Sequence, residues 1–337
     1  MSVKVIRPGL LTTIQDLGRI GYQKYGVIVS GAMDSYALRL ANLLVGNEEG
    51  EASIEITLTG PTLEIEADSL IAITGGDLSP SINNEPIPLW QPVYVKKGST
   101  LQFGACKSGC RTYVAFAGGF NIPEVMESRS TYLRAKIGGL KGRALKVDDV
   151  ITFRGPSEQA INMMEQLSGR MTHSFATTPW KLNEKLIPTY EKEYVVRLIR
   201  GSQFNDFTEE SQEMLFQTKF QVTPQSDRMG YRLAGETLVL NSPLEMISEA
   251  ISIGTIQVPP DGNPIILLAD RQTIGGYPKI GQMISVDLTL IAQAKPGDMI
   301  EFKEVSLKEA EEFFIKRENE LQELKAGILL KFSQFSL

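Results

Sequence analysis

The chain is predicted to be mainly β: two related β-rich domains, a few helices and a helix near the C-terminus. Three observations carry this reading. Short apolar or alternating runs, closed by glycine or proline, fill most of the sequence, with 30 glycines and 17 prolines among 337 residues. Helical periodicity is confined to a few places. A set of short motifs recurs in the same order in the two halves. The first domain is expected over residues 1–154, a helix-containing linker over 155–191, the second domain over 192–305, and the C-terminal helix and tail over 306–337.

The elements follow in order. Asp34 can cap a helix in which Ala37, Leu40, Ala41 and Leu44 fall at i, i+3, i+4 and i+7, and Gly46 closes it. "TLEIEAD" alternates Leu63 and Ile65 against Thr62, Glu64 and Glu66, the period of a half-buried strand. "SLIAITGG" reads as a more buried strand ending at Gly75 and Gly76, and "SINNEPIPLWQPVYVKKGSTLQF" as a meander. "CRTYVAFAGGF" is a strand closed by Gly118 and Gly119. The polar stretch from Gly155 to Glu191 lacks strand alternation and holds His173, the sole histidine, read as an exposed linker residue. Later, "PIILLA" is a strand that wants burial. Ser306 and Glu309 form a capping box, and Ala310, Phe313 and Phe314 begin the apolar stripe of a helix reaching the region of Lys325.

The internal echo links the halves. Arg-x-Gly-Tyr occurs at Arg19–Tyr22 and at Arg228–Tyr231, each with a glutamine and an aspartate just upstream. A glutamate-led strand follows at Glu55 and at Glu249, and a similar turn and strand close each set, Gly98 to Phe103 and Gly297 to Phe302. The shared order favours duplication, with the Asp34 helix added to the first copy.

Composition excludes several classes. A net charge of −6 argues against a general nucleic-acid binder. No apolar run reaches the length of a membrane span, and the N-terminal stretch lacks the apolar core of a secretory signal, so a cytoplasmic protein without membrane or nucleic-acid partners is expected. Cys106 and Cys110, the only cysteines, are expected as thiols, and with one distant histidine they make no metal site. Neither a P-loop nor a serine nucleophile elbow occurs.

Four clusters carry candidate chemistry. In "TIQDLGRIGYQKYGVIVSGAMD", Gln15, Asp16 and Arg19 crowd against Gly18 and Gly21, either as an anion-binding loop or as a turn tied by an Asp–Arg pair. "ESRSTYLRAKIGGLKGRAL" interleaves Arg129, Arg134, Lys136, Lys141 and Arg143 with Ser128, Ser130, Thr131 and glycines. That pattern suits a basic loop for phosphate or carboxylate, against the alternative of a solvated surface loop. "QSDRMGYRLAG" offers Asp227, Arg228 and Tyr231. "ADRQTIGGYPKIG" sets Asp270, Arg271, Gln272 and Thr273 before Gly275 and Gly276, whose backbones are free to take positive φ. Asp270, Gln272 and Thr273 are expected to line a pocket with Asp227 and Arg228 nearby, the alternative being two structural turns.

These stretches, with "GVIVSGAMDSYALRLANLLVGN" and "GTIQVPPDGNPIILLADRQTIGGYPKIG", resemble the allophanate-hydrolase-subunit-2 family, also described as biotin-dependent carboxyltransferase-like, from about Ile6 to the "VSLKEAEEFF" helix. The resemblance implies that the two domains are cyclophilin-like β-barrels. It also implies work in a complex with a smaller B-type subunit, a kinase-inhibitor-like protein, and an A-type subunit, which together convert 5-oxoproline to glutamate with ATP as co-substrate. Other members handle carboxybiotin and urea, so biotin is implied only on that alternative. A third alternative is a non-enzymatic regulator that binds an inhibitor of a sporulation kinase.

Overall fold

The computed structural model describes residues 1–171 and 174–333; His173 lies outside them. Two compact units form. The first comprises Met1–Arg19, Asp34–Thr189 and the chain from Leu321 onward, and the second comprises Ile20–Met33 and Tyr190–Glu320. The architecture is mainly β: several sheets, one closed seven-stranded barrel, few helices and a long C-terminal helix.

The first unit holds β1 (Ser2–Arg7), β2 (Leu11–Gln15), α1 (Ser35–Leu44), β3 (Ser53–Thr57), β4 (Thr62–Ile65), β5 (Ser69–Asp77), β6 (Ser81–Ile82), β7 (Glu85–Pro86), β8 (Pro92–Val95), β9 (Thr100–Gln102), β10 (Ser108–Phe116), β11 (Val150–Thr152), α2 (Glu158–Ser168) and β12 (Phe175–Thr177). Its strands make two six-stranded sheets, ordered β11-β1-β4-β9-β6-β7 and β12-β8-β5-β10-β3-β2. The two sheets share a core: Val3, Val5, Leu63 and Ile65 from the first and Ile54, Ile73, Val93 and Val114 from the second are all fully buried. Alternation in β4 therefore does what the sequence predicts, Leu63 and Ile65 inward and Thr62 and Glu64 half-buried.

Local differences have physical causes. Gly75 (φ +84°) and Gly76 do not end β5; they lie inside it, where pairing with β10 slips between Ser108 and Thr112. The expected meander is split, because β8 joins the other sheet. Trp90 (φ +59°) turns the chain there and donates its N–H to the Ile73 carbonyl at 2.8 Å. Of the expected linker, the described residues up to Thr189 are built into this unit: Ser157 caps α2 through the Ala160 N–H, and β12 pairs with β8. The Asp34 cap forms as predicted, accepting from the Ala37 N–H at 3.0 Å. Ala37, Leu40, Ala41 and Leu44 are fully buried.

The second unit holds β13 (Glu193–Arg200), α3 (Glu209–Gln217), β14 (Lys219–Val222), β15 (Gly230–Ala234), β16 (Glu249–Ala250), β17 (Thr255–Gln257), β18 (Ile265–Leu267), β19 (Ile274–Gly275), β20 (Lys279–Met283), α4 (Leu288–Gln293) and β21 (Met299–Glu304). The barrel closes in the order β13-β20-β17-β18-β15-β14-β21, while β16 and β19 form a separate two-stranded ribbon. Its core includes Val196, Leu198, Phe220, Ile256, Ile266 and Phe302, and Met33 from the early segment is buried with them. The helix α5 (Leu307–Ser333) follows β21, opened by the capping box: the Ser306 N–H donates to Glu309 Oε2 at 2.8 Å and the Glu309 N–H to Ser306 Oγ at 3.2 Å. It runs past Lys325. Phe313 and Phe314 stay exposed, with the Arg197 guanidinium 4.1 Å from the Phe313 ring centre.

One part of the echo survives in three dimensions. The Gly98 N–H donates to the Ile65 carbonyl at 2.7 Å and the Ile65 N–H to Ser99 at 2.9 Å. The Gly297 N–H and Val222 repeat this, at 2.9 Å each, with Asp298 as the second acceptor. A third copy, between Val5 and Asp148–Asp149, has bonds of 2.9 and 2.8 Å; Asp148 adopts φ +66° where the others have glycine, which hid the likeness. The glutamates do not correspond, since Glu55 is buried on β3 and Glu249 is exposed on β16.

Candidate functional site

Gln15, Asp16 and Arg19 of the first cluster meet the second cluster in the first unit. β2 ends at Gln15, and Asp16 then turns inward. Its carboxylate accepts from the Gly18 N–H at 2.8 Å, the Arg129 N–H at 2.5 Å, Ser128 Oγ at 2.8 Å and Ser130 Oγ. Arg19, fully buried, donates Nη2 to the Ser130 carbonyl at 2.5 Å and Nε to the Val125 carbonyl at 3.4 Å. Gln15 Nε2 reaches the Thr131 carbonyl at 3.1 Å, and Thr131 Oγ1 donates to the Ile14 carbonyl at 2.9 Å. Gly138 and Gly139 lie so close that a Cβ on them would collide with the Ser130 carbonyl and with Thr131 Oγ1, and both have positive φ. These groups face into the protein and fix the shape of the loop.

The cations divide in two. Arg129 is held by Glu124 at 2.9 Å, Glu51 at 3.6 Å and the Ile122 carbonyl at 3.0 Å. Arg143 grips Asp149 through two bonds, 2.6 and 2.7 Å. That pairing pushes the Arg143 pKa up and holds the Asp149 carboxyl below the usual range. Lys136 and Lys141 are exposed, at φ +56° and +59°, and make no ion pair among the described residues.

A buried polar set beside these was not singled out from the sequence. The Tyr113 hydroxyl donates to Glu55 Oε2 at 2.8 Å and accepts from the Asp34 N–H at 2.8 Å. Burial, then the nearby Glu55 and Asp34 charges, push the Tyr113 phenol well up. Its members are separated by long stretches of sequence, so no local signal marks them.

The third and fourth clusters meet in the second unit. Asp227 Oδ1 accepts from the Met229 and Gly230 N–H groups at 2.8 and 3.3 Å, a turn that aims the next residue. Arg228 then pairs with Asp270 through Nε at 2.9 Å and Nη2 at 3.1 Å, and Nη2 also reaches the Gly31 carbonyl at 2.5 Å. Ser30 Oγ donates to Asp270 Oδ1 at 2.7 Å. Arg228 and Asp270 are 5% and 6% exposed, so this network seats the Ser30–Gly31 segment, and its charges answer one another. Tyr231 points into the core and donates to the Ala294 carbonyl at 2.9 Å.

Gln272 is exposed and Thr273 half-buried; neither side chain makes a hydrogen bond among the described residues. The glycines behave differently from the sequence reading. Neither Gly275 nor Gly276 has positive φ. Gly275 is needed for close approach instead: a Cβ there would stand 2.6 Å from Gln257 Nε2, which is bound to the Tyr277 carbonyl at 3.2 Å. Arg271, between the locked Asp270 and exposed Gln272, is half-buried, and desolvation pulls its pKa down. An open groove of about 340 Å³ lies elsewhere in this unit, lined by Arg200, Phe204, Glu213 and Phe216 among others, and contains none of the predicted residues.

A mainly β chain with these buried turns fits one family. The carboxyltransferase domain, subdomain A and B, matches residues 25–304, and the chain belongs to that family. It is 38% identical over 309 residues to the C-type subunit of 5-oxoprolinase from Haemophilus influenzae, covering 92% of each chain. The same subunit of Escherichia coli is 36% identical, with 91% of this chain and 93% of that one covered. The urea amidolyase structure of K. lactis superposes with a TM-score of 0.85 at 31% identity, over 95% of this chain and 20% of that one. The chain is thus a homologue of the 5-oxoprolinase C-type subunit over most of its length.

Proposed function

We propose that the chain is the C-type subunit of an ATP-dependent 5-oxoprolinase, acting with a smaller B-type subunit and an A-type subunit to convert 5-oxoproline to L-glutamate in the cytoplasm. The carrying observation is the correspondence along 92% of both chains with a protein of that name. The chemistry is demanding because a lactam carbonyl is a weak electrophile. Phosphoryl transfer from ATP to its oxygen releases ADP and activates the carbon. Water adds there, the C–N bond breaks as nitrogen takes a proton, and hydrolysis releases phosphate and the new carboxylate.

In this reading Gln272 and Thr273 face the lactam, since an amide can donate to the carbonyl and accept from the ring N–H. Asp270, Arg228, Ser30 and the Asp227 turn hold that stretch in place, Tyr231 ties the strand after Arg228 to the core, and Gly275 leaves room for the Gln257 side chain, with exposed Gly276 next to it. Asp16, Arg19, Arg129, Ser130, Thr131 and Arg143 shape the loop that presents Lys136 and Lys141. The shared turns at Gly98 and Gly297 support reading both units as related cyclophilin-like barrels.

The likeness to urea amidolyase favours a second reading, a biotin-dependent carboxyltransferase component. One experiment separates the two: glutamate release from 5-oxoproline and ATP by the three purified subunits, omitting each in turn, with and without avidin. The expected result is release that needs all three subunits and ignores avidin, and none from this chain alone. Release without this chain, or turnover by the isolated chain, overturns the proposal; inhibition by avidin moves it to the second reading.

A further inference from the structure

We infer that Arg271 anchors an oxyanion, the carboxylate of the substrate or a phosphate, at the root of the β16–β19 ribbon. The inference rests on the reading that Gln272 and Thr273 face the substrate, and it names the group that binds beside them. Arg271 Nε donates to the Ile251 carbonyl at 3.4 Å and Nη1 to the Leu268 carbonyl at 3.3 Å, both long for such bonds. Both Nη2 hydrogens and one on Nη1 have no acceptor among the described residues, and no carboxylate lies within 4.0 Å. The barrel's other half-buried or buried arginines contrast with this. Arg228 has Asp270 at 2.9 Å, and Arg197 has Asp287 at 2.5 Å.

A guanidinium keeps its charge at any ordinary pH, so burial without a counter-charge is unfavourable. Burial lowers the Arg271 pKa and no neighbouring charge acts against it, which agrees with the missing partner. The unused Nη edge has the fork geometry that accepts a carboxylate or phosphate through two parallel bonds. The next two side chains, Gln272 and Thr273, make no hydrogen bond among the described residues, so three consecutive residues offer polar groups from one stretch. Its backbone is pinned on both sides: the Asp270 N–H donates to the Arg228 carbonyl at 2.8 Å and the Ile251 N–H to Thr273 at 3.3 Å. 5-Oxoproline carries one carboxylate beside its lactam, and the activated lactam carries a phosphate.

The test is calorimetric titration of the full chain, alone and with its partner subunits, using 5-oxoproline, inorganic phosphate and 2-pyrrolidinone, the same lactam without the carboxylate. At least one anion is expected to bind, 2-pyrrolidinone about tenfold or more weakly than 5-oxoproline if the carboxylate is the group held. Arg271→Gln should weaken the bound anion about tenfold or more, Arg271→Lys less, and Arg271→Gln should leave the thermal midpoint unchanged or raise it. Binding of 5-oxoproline alone identifies the carboxylate, and of phosphate alone the phosphate. If neither anion binds in either setting, or Arg271→Gln binds them as well as the parent while melting lower, Arg271 is a structural tie and the inference falls. Anion binding without glutamate release would instead overturn the assignment to an oxoprolinase.

Discussion

Asp16 and Asp270 show how differently a carboxylate beside an arginine can be used. Asp16 collects backbone and hydroxyl donors and closes a loop, whereas Asp270 answers Arg228 and Ser30. Removing such a hub strands its donors in the interior. Asp16→Ala should therefore cost about 3 kcal/mol, read as a lowered midpoint in thermal or urea unfolding. Gln272→Ala should behave oppositely. Its side chain is exposed and unbonded, so the midpoint should hold, while glutamate release by the assembled complex should fall about tenfold, near 1.4 kcal/mol of lost transition-state stabilisation. Unchanged release with Gln272→Ala would return the stretch to a structural turn. The sequence picked out polar stretches, but not which of their side chains point outward. Arg129 and Arg143 looked like ligand cations because Glu51, Glu124 and Asp149 could be paired with them only in the folded chain.

Capping and alternation made several elements legible: α1, β4 and the start of α5 follow from signals within a few residues. α3 is hard to read from the sequence: Thr208 accepts from the Ser211 N–H and Glu209 and Glu210 open its first turn, a start signal without a strong apolar stripe behind it. Strand partners were not legible, because pairing across long separations leaves no local trace, as β8 shows by joining the opposite sheet from β9. The turn ahead of β11 gives a pH-dependent prediction. Arg143 holds the Asp149 pKa below the ordinary carboxylate range. A depressed acid contributes stability above its unfolded pKa and loses it as pH falls through the folded one. Asp149→Asn should thus cost about 1 kcal/mol near neutral pH, and the gap between variant and parent should close as acid unfolding is followed through and below the carboxylate range. A gap that stays constant with pH would show that the charge is not what matters.

At the scale of the molecule, α5 contributes to both units, its residues to Glu320 in the second and those from Leu321 in the first. Leu321, Ile328 and Phe332 are buried, and Phe332 packs where a Cβ on Gly46 would stand 3.1 Å from its ring. Phe332→Ala should cost about 3 kcal/mol, measurable as a lowered unfolding midpoint of the whole chain. A compact unit assembled from separate stretches leaves no local mark in the sequence. Residues 20–33 follow the strand of one unit yet bury Met33 in the core of the other.

That interleaving sets a timetable for the newborn chain. The first unit needs residues before Arg19 and residues beyond Leu321, so its earliest strands emerge and wait while some 300 residues are made, roughly 15–60 s at ordinary translation speed. The barrel from Tyr190 to Glu304 can close sooner. Until α5 is made, the seat of Phe332 beside Gly46 lacks the side chain that fills it in the finished fold.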